Sequence, residues 1–142
     1  MDGSPRVCSA ARALEVVGDR WSLLVLREVF LGTHRFEEMR ANTGAPRDIL
    51  SARLKKLVAH GVLEKRAYQE HPPRFEYHAT EAGRDLSPVV TALRQWGDQH
   101  LRTEEGPQPA HFHHVCGSDR PAALVCPDCG EALTVGSMVR VS

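Results

Sequence analysis

What this chain of 142 residues lacks narrows the field first. It has no excess of either charge, since 18 Lys and Arg stand against 18 Asp and Glu. On average, then, it lacks the basic surface that phosphate neutralisation uses. It also lacks a long apolar run: stretches such as Leu23–Leu26 fall far below the ~20 residues needed to cross a bilayer. The opening Met1-Asp2-Gly3-Ser4-Pro5 holds no apolar segment of the signal-peptide kind, so the expectation is a cytoplasmic chain with no membrane partner. No glycine-rich phosphate loop follows a strand pattern, and no Ser/His/Asp set or carboxylate pair stands out. The reading is therefore not an enzyme. Cysteine is scarce, limited to Cys8, Cys116, Cys126 and Cys129. In a reducing compartment such a set points to metal or thiol chemistry rather than structural disulfides. The remainder, 42% hydrophobic and 25% charged, reads as globular.

The zero net charge is unevenly distributed. Residues 34–78 carry nine basic and six acidic side chains, including all three lysines, Lys55, Lys56 and Lys65. A solvated helix face explains that local excess as well as a polyanion partner does.

Residues 8–17 suit a helix ending at Gly18. Asp19 is placed to cap a second helix from Arg20 to Leu31, whose broad apolar surface implies a buried central element. Gly32 ends it, Thr33 is placed to cap a short helix over 34–41 with Phe36 and Met39 inward, and Asn42-Thr43-Gly44 is a turn. Pro46 then opens a helix to about Ala59 in which Leu50, Leu54, Leu57 and Val58 mark the buried face. A short helix, a glycine-containing turn and a longer helix with a polar outward face make a helix-turn-helix. After Gly61 the period drops to two. Residues 62–68 and 74–79 are strand candidates, joined by a loop containing Pro72 and Pro73. The whole is mainly α with a small β-hairpin wing (α+β), a winged helix-turn-helix. In that architecture the second helix enters the major groove while the wing follows the backbone or minor groove.

Thr80 is placed to cap a further helix running to about Leu101, kinked or broken at Pro88. Its stripe of Leu86, Val89, Val90, Leu93 and Trp96 exceeds what the domain's own core needs, which predicts a two-fold homodimer.

Several segments carry a resemblance: residues 21–28 (WSLLVLRE), Gly32 with residues 35–39 (RFEEM), residues 49–57 (ILSARLKKL), Gly61-Val62-Leu63, residues 72–77 (PPRFEY), Thr80-Glu81-Ala82-Gly83 and Trp96-Gly97. Over about residues 8–103 the chain resembles the HxlR-type, MarR-like bacterial transcriptional regulators. The resemblance implies a homodimer on double-stranded operator DNA, often near its own gene, and a repressor is the expectation. It also implies a cysteine before the first helix, matched by Cys8, that in some members senses oxidants or electrophiles. Two positions depart from the pattern: Pro46 stands where a small capping hydroxyl is common, and Asp48 where a basic or amide residue is common. Asp48 either accepts a hydrogen bond from a cytosine amino group or orients Arg47. For base contact the exposed face offers Arg47, Ser51 and Lys55, with Arg47 best suited to guanine. Arg53, Lys56, Lys65, Arg66 and Arg74 are expected to clamp phosphates. Cys8, near a helix start with Arg6 and Arg12 close in sequence, is either a thiolate sensor or a small interface residue.

Composition divides the chain into a winged-helix DNA-binding and dimerisation domain, 1–103, and a linker with a Cys/His tail, 104–142. In the tail, His113-x-x-Cys116-Gly117 and Cys126-x-x-Cys129-Gly130 form two ligand-turn units. Four nitrogen and sulfur donors at that spacing suit tetrahedral structural Zn²⁺, as in a small zinc ribbon. His111 and His114 are rivals for the fourth position. The alternatives are a flexible tail with incidental thiols, a winged helix used only for protein contact, and a zinc-dependent enzyme.

Overall fold

The computed structural model describes residues 5–141 and divides into two compact units, one through Val90 and one from Thr91 onward. The first unit begins with α1 (Ser9–Val17) and α2 (Arg20–Phe30). Cys8 and Asp19 cap them, accepting the amides of Ala11 and Ser22 through side-chain atoms. α2 is the central element: Ser22, Val25, Leu26, Glu28 and Val29 are buried, as its wide apolar surface requires.

α3 spans Phe36–Thr43 and α4 spans Arg47–Ala59. The start of α3 differs from expectation. Arg35, not Thr33, occupies the N-cap and gives no side-chain bond, while the Thr33 amide is drawn back to the Glu28 carbonyl at 2.9 Å. At its other end the helix runs through Asn42 and Thr43, because Thr43 Oγ1 donates to the Met39 carbonyl; Gly44, in the left-handed region, terminates it. Pro46 lies one residue before α4 as its extended N-cap. Leu50, Leu54 and Leu57 of α4 are buried beside Met39, Val25, Leu26 and Leu63 to form the core.

The wing is an antiparallel hairpin of β1 (Leu63–Gln69) and β2 (Arg74–Ala79), with Leu63 opposite Ala79 and Lys65 opposite Tyr77. Thr80 caps the short α5 (Glu81–Arg84), donating to the Gly61 carbonyl at 2.5 Å and accepting the Gly83 amide. Buried Gly83 allows this turn to press on the wing's base, since a Cβ there would lie 2.1 Å from the Val62 carbonyl oxygen. The chain breaks after α5 and resumes as α6 (Ser87–His100), in keeping with Pro88 at its second position.

The division between units falls inside α6, whereas the composition changes at 103/104. Beyond Val90 the helix shares contacts with the tail: the Arg94 guanidinium lies 4.1 Å over the Phe112 ring, and the Gln95 amide lies against the Ala122 backbone. Among the described residues, no helix is long and apolar enough to cross a membrane.

Candidate nucleic-acid interface

α4 presents Arg47, Ser51 and Lys55 four residues apart on the side away from Leu50, Leu54 and Leu57, with Arg47 and Lys55 exposed. Asp48 is exposed beside Arg47 in the first turn. The Arg47 side chain is held in place. Its Nη2 lies 2.7 Å from Glu37 Oε1, and the guanidinium stands 5.4 Å over the Phe36 ring. Arg40 shares the same carboxylate at 3.8 Å. With both members of the Arg47–Glu37 pair more than half exposed, it contributes at most about 1 kcal/mol and exchanges readily for another anion.

Arg53 departs from the expected role. Six residues past Arg47, the helix has carried it away from the Arg47 face toward α2, where its Nε donates to Asp19 Oδ1 at 3.0 Å. Asp19 also accepts the Ser22 amide at 3.0 Å and the Ser22 hydroxyl at 2.6 Å. Partial burial opposes ionisation, but the Ser22 hydrogen bonds and Arg53 together hold the Asp19 carboxyl below its ordinary range. The guanidinium assigned to phosphate is thus committed to joining α2 and α4. Lys56 is half-buried.

On the wing, Lys65, Arg66 and Arg74 are exposed. The Lys65 ammonium lies 4.2 Å over the Phe75 ring, Arg66 is ion-paired to Glu64, and Arg74 opens β2 opposite Gln69. The expected in-out alternation of β2 is blurred, because the hairpin packs on both faces. His34 and His78 stack with ring centroids 4.0 Å apart, and His78 Nε2 donates to Glu76 Oε2 at 3.0 Å. Arg35 donates to the other Glu76 oxygen at 3.3 Å while its guanidinium covers Tyr68 at 4.2 Å. The His78 hydrogen bond, with Arg35 behind it, holds the Glu76 carboxyl below its usual range, and burial raises the Tyr77 phenol. The backbone joins as well: the Tyr77 amide donates to the His34 carbonyl and His34 Nδ1 to the Tyr77 carbonyl, both at 2.9 Å. His34 and Arg35 carry no signal in a single sequence beyond the charge of one, since their partners lie about forty positions away.

The stripe on α6 divides. Leu86 and Val90 pack on the chain's own core and are removed from the candidate dimer face, leaving Val89, Leu93 and Trp96 exposed, with Trp96 56% accessible. On α1, Leu14 is 63% accessible. Cys8 is exposed, its Sγ accepting the Ala11 amide at 3.3 Å.

In the tail, the Cys126–Cys129 turn is closed by Cys126 N–H to the Glu131 carbonyl at 2.9 Å and Gly130 N–H to the Cys126 carbonyl at 2.8 Å. Amides of Cys129 and Asp128 point at the Cys126 sulfur and, with the Cys129 thiol, hold the Cys126 thiol below its ordinary range. The first turn forms separately, with Gly117 N–H on the His114 carbonyl at 2.7 Å. Among the described residues no three His, Cys, Asp or Glu side chains come together as a metal site. His113, Cys116, Cys126 and Cys129 are therefore not gathered into the expected tetrahedron.

Comparison with known proteins places the whole. The family model described as HxlR-like helix-turn-helix matches residues 16–105. An uncharacterised HTH-type transcriptional regulator of Mycobacterium tuberculosis is 48% identical over 126 residues, covering 89% of this chain and 80% of the relative. One from Synechocystis is 35% identical over 99 residues, covering 69% and 73%. Among solved structures, PA1607, described as a transcription-factor candidate, superposes with a TM-score of 0.79 at 34% identity, covering 95% of this chain and 94% of its own. The redox regulator HypR in its reduced form gives 0.60 at 28% identity, covering 66% and 94%. The winged helix-turn-helix, its exposed basic faces and these matches lead to one conclusion: the chain belongs to the HxlR family of helix-turn-helix transcriptional regulators.

Proposed function

We propose that the chain is a homodimeric repressor that binds double-stranded operator DNA, with α4 in the major groove and the wing against the backbone, and that it acts by binding rather than catalysis. The observation that carries this is the face of α4: Arg47, Ser51 and Lys55 stand in line and exposed or half-exposed, opposite a fully buried leucine row. Arg47 reads a guanine edge, and Lys55, Lys65, Arg66 and Arg74 neutralise phosphates. Two copies meet through Val89, Leu93 and Trp96, which as an exposed apolar patch on one protomer want a partner. A thiol response through Cys8 fits its position: it is exposed at a helix start, and its sulfur accepts the Ala11 amide. HypR and YodB, structural neighbours at 28% and 26% identity, are described as a redox regulator and as a transcriptional regulator solved in reduced form.

Binding measured on the DNA upstream of the chain's own gene, against random DNA of equal length, tests the reading. Arg47→Ala is expected to cost about 1–3 kcal/mol on operator DNA and to relax preference at one position. Arg74→Ala is expected to weaken binding to all sequences and reduce the salt slope by about one. An equal loss on operator and random DNA for Arg47→Ala removes its base-reading role. An absence of sequence preference in the parent protein removes the operator reading itself.

A further inference from the structure

The tail from Thr103 onward has a well-defined local geometry and almost no interior. Among residues 103–141 only Ser118 and Cys126 are even half-buried, and Val115, Val135, Met138, Val139 and Val141 are all strongly exposed. The tail therefore buries too little apolar surface to hold itself together by burial alone. What the tail does have is two hydrogen-bonded turns, one anchored on Cys126 and one on His114, each ending in a Cys-Gly pair.

In the second turn Cys126 N–H reaches forward to Glu131, Gly130 N–H returns to Cys126, and the bridge between Val125 and Ala132 continues outward. In the first, His114 N–H reaches Ser118 at 3.1 Å and Gly117 N–H returns to His114. Each places a cysteine immediately before a glycine with positive φ, +87° at Gly117 and +74° at Gly130. That conformation is costly for any residue with a Cβ, so both glycines serve the turn.

The imidazoles can be distinguished by their hydrogen bonds. His113 Nδ1 lies 2.8 Å from the His114 carbonyl, which can only accept, so Nδ1 carries the proton and Nε2 presents a free lone pair. This is the outer-shell pattern of a metal-binding histidine. His114 is the reverse: its Nδ1 accepts the Cys116 amide at 3.2 Å, which leaves the proton on Nε2. The Nε2 of His111 is engaged with Asp119 at 3.1 Å. Of the three, His113 is the one whose outward-facing nitrogen is ready to ligate.

We infer that the tail is a zinc-binding module in which His113 and Cys116 form one half-site and Cys126 and Cys129 the other. Each half has its own turn, the two are not joined in one site in this structure, and one Zn²⁺ draws them together. The ion supplies the interior that the tail's side chains do not. Three thiolates and one imidazole complete its shell, with no open position for a reacting water, so the role is structural. Metal binding and closure of the tail are then one event.

The full chain, purified anaerobically in reductant and stripped with a chelator, is titrated with Zn²⁺ against a chromophoric competitor. Co²⁺ in place of Zn²⁺ reports thiolate number through its sulfur-to-metal charge-transfer absorption. The expected result is about one metal per chain with tetrahedral coordination, accompanied by protection of the tail against limited proteolysis. Double replacement of Cys126 and Cys129 by serine abolishes binding. Cys116→Ser and His113→Ala each weaken it by more than the about 10–100-fold typical of an outer-shell loss, while His114→Ala stays near the parent. No stoichiometric zinc, zinc retained by the Cys126/Cys129 double variant, or zinc indifferent to both Cys116 and His113 overturns the four-ligand site. Because the DNA-binding unit lies upstream, unchanged helical circular dichroism in each variant separates ligand loss from a failure to fold.

Discussion

Asp19 is the side chain whose removal tests the internal logic of the DNA-binding unit most directly. It satisfies the start of α2 through the Ser22 amide, a buried hydroxyl through Ser22 Oγ, and Arg53 of α4. Asp19→Ala removes an N-cap, which costs about 1 kcal/mol, and leaves the wholly buried Ser22 hydroxyl without this partner, which costs about 1–3 kcal/mol. The Arg53 pair is about a third exposed on both sides, so solvent screening limits its share to below about 1 kcal/mol. The expected loss is about 2–4 kcal/mol in urea unfolding, seen as a lower midpoint at unchanged slope. Asp19→Asn keeps Oδ1 as the cap for the Ser22 amide but puts a donating NH2 where Oδ2 accepts the Ser22 hydroxyl, so its loss should fall below that of the Ala variant. The pair also predicts a pH effect. The folded-state pKa of Asp19 lies below the ordinary 3.8, so its stabilisation is whole well above that value. It is lost as the pH falls below 3.8 and on through the folded-state value, and the Asn variant lacks this component. An Ala variant within about 0.5 kcal/mol of the parent would refute the reasoning, since surface changes of no structural consequence fall in that range.

Three further outcomes follow from other contacts. Glu37→Gln frees Arg47 from its 2.7 Å partner and should raise affinity for random DNA while lowering the operator-to-random ratio, read by competition binding; an unchanged ratio means that Glu37 does not orient Arg47. Gly83→Ala places a Cβ 2.1 Å from the Val62 oxygen, and backbone must move by about 1 Å to relieve it, at a cost of about 1–3 kcal/mol. Thermal unfolding checks that value, and a neutral result would show that α5 does not bear on the wing. Leu93→Glu on the exposed face of α6 should shift sedimentation toward monomer and abolish tight operator binding together, whereas dimers unaffected by it would place the interface elsewhere.

Local signals carried much of this fold. Asp19 capping α2, the leucine spacing of α4, the hairpin around Pro72 and Pro73, and the break before Pro88 are each decided within a few residues, and each is found where the sequence puts it. The errors share a different origin. Thr33 looks like a cap, but its amide is claimed by Glu28, so Arg35 takes the position. Arg53 looks like any surface arginine until α2 supplies Asp19, thirty-four positions earlier. Leu86 and Val90 share helical spacing with Val89, Leu93 and Trp96, yet Leu86 falls in the break before α6 and both it and Val90 pack on the core. The spacing of His113, Cys116, Cys126 and Cys129 is local and so legible in the sequence. How far apart the two turns stand is not local, and nothing in the spacing reveals it.

The bonds between His34 and Tyr77, the stacked pair of rings above them and the Arg35–Glu76 bridge have a consequence for control. They tie the turn ahead of α3 to the second strand of the hairpin, so the helix-turn-helix and the wing are joined as a single tool within a protomer. A signal that releases such a protein from DNA has little freedom to act inside that tool. In the homodimer proposed above it would act on the spacing and tilt of two tools relative to each other, and the half-site separation of the operator would be the ruler against which the signal is read.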